Sequence, residues 1–133
     1  MKIVLVVDPE LPLGLIANTA AYLSFSLGQS LENMLAQDAI DSLGRVHMGT
    51  SPITMPILKA DKELLKSIFE KASQNSDITI MDFTNIAQKH RVYSEYIEEI
   101  KDTPIVDLEY LGLALFGAKK AVNSLTGSLP LLR

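Results

Sequence analysis

The sequence predicts an α/β layered domain, and three observations carry that prediction. An apolar, β-branched run opens the chain at Ile3–Val7, and strand-like and helix-like stretches alternate after it. With 133 residues, 47% of them apolar and 21% charged, the chain has the size and composition of one domain over residues 1–133 with one buried core.

Each element has its own warrant. Ile3 to Val7 ends at Asp8-Pro9 and is apolar at every position, the pattern of a central strand covered on both faces. After Pro12 and Gly14, Ile16, Ala20, Leu23 and Leu27 keep the three-and-four spacing of a helix until Gly28 interrupts it. No residue from Leu11 to Leu31 is charged, but Asn18, Thr19, Ser24, Ser26, Gln29 and Ser30 break the run. It therefore reads as a packed internal helix and not as a membrane span. Residues 29–41 read as a polar helix passing into the turn-rich loop SLGRVHMGTSPIT. A short strand over Pro56–Lys59 precedes a helix capped by Asp61, with Leu64, Leu65, Ile68, Phe69 and Ala72 on one face. The strand DITIMDF follows. A helix entered at Thr84 or Asn85 then carries Ile86, His90, Tyr93, Ile97 and Ile100 in one stripe, and Thr103-Pro104 ends it. IVDLEYLGLALFG offers one or two strands. Gly117 opens a last helix with Ala118, Ala121, Val122 and Leu125 inward, and Gly127 is expected as its left-handed cap.

Composition excludes several functions. Without cysteine there is no disulfide framework, thiolate metal site or cysteine nucleophile, and a reducing compartment, the cytoplasm, is expected. The opening MKIVLVVDPE is too short and too acidic for a signal peptide. A net charge of −4 disfavours nucleic-acid binding by overall field. Residues 95–109, however, hold six acids against one base, which leaves the rest near balance and free to form a local basic patch. Neither histidine has a metal-ligand partner at i+3 or i+4, and no phosphate loop, dinucleotide fingerprint or nucleophile elbow is present, so no metal and no cofactor is expected.

The candidate site residues come from strand ends, loops and helix starts. Asp8 and Asp82 end strands, where open α/β sheets place ligands. On neighbouring parallel strands, two such carboxylates could share a proton for acid or base work; otherwise each terminates a strand and satisfies an amide. Lys119 and Lys120 stand at a helix start, an end that suits an anion better than a cation, so a phosphate or carboxylate site competes with a solvated surface pair. His47, in a loop with Arg45 and Gly49, can orient a ligand, while His90 reads as a core or boundary histidine. Asn18 is a polar group in an uncharged helix, either a ligand contact or a structural hydrogen bond.

The opening KIVLVVDPELPLGLIANTAAYLS and the ending LGLALFGAKKAVNSLTGSLPLLR, roughly a third of the chain, resemble a bacterial family of unknown function with the fold of peptidyl-tRNA hydrolase II. The ending is the more specific part, with a strand Leu111–Phe116, a turn at Gly117 and the pair Thr126-Gly127. The resemblance implies a three-layer α/β/α arrangement around a mixed sheet of about four strands. It also implies a substituted active site. Leu15 and Tyr22 stand where the hydrolases place a lysine and a histidine, Thr19 where they place a glutamine and Gly112 where they place a threonine, while Asp82 matches the strand-ending aspartate.

Three functions follow as expectations. The first is a protein that binds a small or anionic ligand without hydrolysing it, through Asn18, His47, Asp82, Lys119 and Lys120. The second is a hydrolase for peptidyl-tRNA or another ester, in which Asp82 activates water and Tyr22 or Lys119 stabilises charge, provided that Asp82 and Tyr22 face one cleft. The acidic stretch would repel tRNA if it flanked that cleft. The third is a homo-oligomer without ligand, with an apolar patch near Leu111–Phe116 or the tail.

Overall fold

The computed structural model describes residues 1–133. In chain order the elements are β1 (Lys2–Val7), α1 (Leu13–Ser30), β2 (Ala39–Ile40), β3 (Val46–His47), β4 (Ile57–Lys59), α2 (Lys62–Ser73), β5 (Ile78–Thr84), α3 (Asn85–Lys89), α4 (Tyr93–Asp102), β6 (Tyr110–Gly117) and α5 (Lys119–Thr126).

The apolar opening run does form a central strand. β1 pairs with β4 in parallel and with β6 antiparallel, and β6 pairs antiparallel with β5, giving a mixed four-strand sheet in the order β4-β1-β6-β5. Alternate side chains point to opposite faces. Val4, Val6, Leu113 and Leu115 meet Leu65, Ile68 and Ala72 of α2 and Val122 of α5, whereas Ile3, Leu5 and Ala114 meet Leu23 and Leu27 of α1. Helices thus cover both faces. β2 and β3 form a separate two-strand hairpin.

The sheet's edges differ. On the β4 side the tail adds a bridge, Leu58 to Leu131, and the Lys59 N–H donates to the Pro130 carbonyl at 3.0 Å. On the other side β5 has one strand neighbour only. Asp61 caps α2 as its sequence position predicts, accepting from the Leu64 N–H at 2.9 Å.

Several expectations need correction. The polar helix expected over residues 29–41 does not form; residues 31–41 are not helical. α1 runs through Gly28 to Ser30, and the chain then leaves helical geometry, with Asn33 in the left-handed region at φ 56° and Leu31 and Met34 packed on the α1 side of the core. The stripe from Ile86 to Ile100 is split. His90 and Val92 are extended, so α3 ends at Lys89 and α4 starts again at Tyr93, an arrangement that puts Ile86, Tyr96 and Ile100 against one core. Gly117 ends β6 and does not open α5. One strand, and not two, lies between Pro104 and Ala118, preceded by a short 3-10 turn at Ile105–Asp107. Gly127 is right-handed, at φ −64°; its N–H donates to the Asn123 carbonyl at 2.8 Å. The patch expected at Leu111–Phe116 is absent, because that strand is the interior of the sheet.

Candidate functional site

The split between α3 and α4 creates a cavity of about 210 Å³ beside the exposed edge of β5. α1 contributes Tyr22 and Ser26 to it, β5 contributes Asp82 and Phe83, and the extended link contributes His90 and Arg91. α4 supplies Tyr93 and Tyr96. Tyr22 stacks on Phe83 with ring centroids 4.9 Å apart and planes 13° from parallel, and Tyr93 and Tyr96 make a tilted pair at 5.3 Å. Three of the chain's four tyrosines therefore wall one small space.

Asp82 is the chemical centre of this space. It sits within β5 and not at its end, opposite Leu113, and its only hydrogen-bond support comes from its own backbone. Burial pushes its carboxyl above the ordinary carboxylate range. Its charge also acts on its neighbours. Burial first, then Asp82, raises the Tyr96 phenol, and the same two causes push Tyr110 up to about 12. A carboxyl shifted in this direction is biased toward its protonated form, in which it can donate as well as accept.

The raised carboxyl has a consequence for stability. The native state binds more protons than the unfolded one between the unfolded value of 3.8 and the raised native value, so stability falls as pH rises through that window. Asp82→Asn is expected to raise the melting temperature at neutral pH by the equivalent of about 1 kcal/mol. The gain should vanish below the unfolded carboxylate's titration; a gain independent of pH would show that the charge is not its source.

Of the residues singled out from the sequence, Asp82 and Tyr22 share this cavity. Asn18, exposed on α1 one turn before Tyr22, does not line it, and His47 lies on the separate hairpin, its Nε2 2.9 Å from Asp41 Oδ2. Lys119 and Lys120 are exposed at the start of α5, next to Gly117. Gly117 pairs with Ile78, four residues along β5 from Asp82, which is about 13 Å of strand. Asp8 and Asp82 are not neighbours, because β6 lies between β1 and β5 and separates them by two strand spacings, about 10 Å. Asp8 is buried, with Oδ1 accepting from the Glu10 N–H at 2.9 Å and Oδ2 unpartnered.

Sequence reasoning missed His90, Arg91, Tyr93 and Tyr96 as site residues. The available signal was the pair of tyrosines, Tyr93 and Tyr96, that closely follows the histidine. His90 is the boundary histidine of the expected pair of readings, half-buried, with its Nε2 3.3 Å from Glu99 Oε1 and its Nδ1 3.5 Å from Glu95 Oε2. Those glutamates, with Glu98, Asp102 and Ser94, line a neighbouring open hollow, so the acidic stretch does flank the cavity. No group of three or more His, Asp or Glu side chains is arranged to hold a metal ion. No helix is long and apolar enough to cross a membrane.

The chain is similar in fold to the solved structure of Atu0240 from Agrobacterium tumefaciens strain C58, a protein of unknown function. The two superpose with a TM-score of 0.87 at 18% identity, over 98% of this chain and 96% of that one. No curated protein matches the chain. Along residues 1–133 it matches the family described as Protein of unknown function (DUF2000), and it belongs to that family.

Proposed function

We propose that this protein binds a small molecule at the edge of β5, with a planar or apolar body against the tyrosines and a polar group at Asp82. The observation that carries this reading is an unpaired carboxyl, partly buried among aromatic rings and facing a cavity. A polar group left without a partner in such a place costs stability, and a ligand that bonds to it recovers that cost. Arg91 and His90 at the same cavity give an anionic substituent a place to rest.

The test is an amide-resolved NMR titration with small aromatic amines, amides and carboxylic acids. Shifts are expected at Tyr22, Phe83, His90 and Tyr96. Asp82→Asn and Tyr22→Ala should each weaken binding about tenfold, equivalent to about 1.4 kcal/mol, and Lys119→Ala should leave it unchanged. Binding that survives both site substitutions would overturn the reading.

One observation favours a second reading, ester hydrolysis: Asp82 and Tyr22 line one cleft. The mixed four-strand sheet with helices on both faces supports kinship with peptidyl-tRNA hydrolase II. Against tRNA as substrate stand the carboxylates beside the cavity, which oppose phosphates. Release of peptide from peptidyl-tRNA by the wild type but not by Asp82→Asn would establish this reading, and its absence from folded protein would remove that substrate.

A further inference from the structure

α1 is a helix without a charge in any of its 18 residues, yet it forms an outer layer. A helix on a protein surface ordinarily turns charged residues to water, and one that is apolar all round is ordinarily buried. Here Leu23 and Leu27 face the sheet, while Leu13 is 82% and Phe25 70% exposed. Ala17 and Ala21, also exposed, fall between them at steps of four residues, so an apolar stripe runs along the outward side, bordered by the exposed Asn18, Ser26 and Gln29.

That stripe adjoins two further apolar features. Between the C-terminal half of α1 and the segment that follows lies a cleft of about 540 Å³, lined by Leu27, Gly28, Leu31, Met34 and Met55 among others and by no ionisable side chain. From its wall, at Leu35, the chain runs into the β2–β3 hairpin, where Ile40, Leu43, Val46 and Met48 are all exposed. Ile40 and Val46 are directly opposite one another and so share a face. A two-strand hairpin of this size is marginal in water by itself, but this one is pinned by Asp41. The Asp41 carboxylate accepts from the Leu43 and Arg45 N–H groups, bonds to Arg45 Nε at 2.8 Å and lies 2.9 Å from His47 Nε2. It is a preformed projection with an apolar face.

We infer that a second copy of this chain covers α1, the outward faces of the two helices packing together and the hairpin of each copy reaching over the apolar cleft of the other. Three properties select a second copy. The surface carries a projection and a recess together, which a two-fold axis pairs reciprocally and closes. It carries no charge along α1, so the face does not repel itself. Its exposed Leu13, Phe25, Leu35, Ile40, Leu43, Val46 and Met48 each remove on the order of 100 Å² from water when covered. Together these approach the ~800 Å² that each partner gives to a stable complex. Ala17 and Ala21 are small enough to let two helix axes approach to about 8 Å. The inference is independent of any ligand at Asp82.

Sedimentation equilibrium of the full chain tests it. The wild type is expected at twice the 14.6 kDa chain mass at micromolar concentration. Phe25→Glu should sediment as a folded monomer, and Leu43→Asp on the hairpin should weaken pairing by about tenfold or more. Val92→Glu, an exposed apolar position outside this surface, should remain a dimer. Ala21→Glu gives a second disruption at an exposed helix position should Phe25→Glu fail to fold. A wild type that stays monomeric, a dimer that survives both α1 substitutions, or a monomer that instead sediments with neutral phosphatidylcholine vesicles would each overturn the inference.

Discussion

Replacing Gly117 by alanine is expected to cost about 3 kcal/mol, the upper part of the usual range for forcing atoms into filled space, and to lower the melting temperature by on the order of 10 °C. A Cβ built at Gly117 would lie 2.2 Å from the Asp77 carbonyl oxygen and 3.2 Å from Ile78 Cα. Both obstacles are backbone, so no side chain can turn aside. Gly117 pairs with Lys2 on one flank and Ile78 on the other, and relief of the clash would have to disturb the end of three strands at once. Gly28→Ala is the control. Nothing lies within 4 Å of a Cβ there, and the position is helical; alanine should stabilise by about 0.5–1 kcal/mol through helix propensity. Thermal unfolding of the two variants separates close backbone approach from a generic intolerance of glycine replacement, and equal melting temperatures would refute the argument.

Leu113→Ala is expected to destabilise by about 3 kcal/mol, within the range for leucine truncation in a packed core. Leu113 has 0% exposure and lies on β6 between β1 and β5, facing α2 and α5. Neighbours on a central strand are held by hydrogen bonds on both sides and can collapse into the vacancy only in part. Leu64→Ala gives the contrast. The sequence pattern places Leu64 with Leu65 and Ile68 on the inward face of its helix, but its side chain is at the margin, 41% exposed. Its truncation should cost no more than about 0.5 kcal/mol. Denaturant titration of both measures the difference, and comparable losses would mean that Leu64 contributes to the core after all.

That pair of leucines illustrates how much was legible before the structure. β1 was readable because Ile3–Val7 is apolar at every position, and α2 because Asp61 marks its start and the charges leave one face clear. α1 was readable as a helix, but its surroundings were not: an uncharged stretch reads as internal, whereas its outward side is open. The break at His90–Val92 was invisible because Ile86, His90, Tyr93, Ile97 and Ile100 continue in helical step across it; only the extended backbone of His90 and Val92 reveals it. Half of the candidate site depended on that break. Asp82 and Tyr22 were identified from strand and helix position, but His90, Arg91 and Tyr96 reach the cavity only because the helix is interrupted between them. Gly127 looked like a left-handed cap because it follows a helix; in fact it keeps the right-handed turn, with a would-be Cβ 2.7 Å from the Asn123 carbonyl oxygen.

The place of β6 between β1 and β5 has a consequence for synthesis. β1 leaves the ribosome before its sheet neighbours, and its five buried residues from Ile3 to Val7 need partners on both sides. β4 can join it early, but β6 begins at Tyr110, more than a hundred residues later. At ~5–20 residues per second the apolar strand waits on the order of 10 s for its second neighbour. β5 waits as well, since β6 is its one strand partner. The nascent chain therefore carries two unsatisfied strand edges until β6 has been made, and its need for chaperone cover is greatest just before β6 emerges.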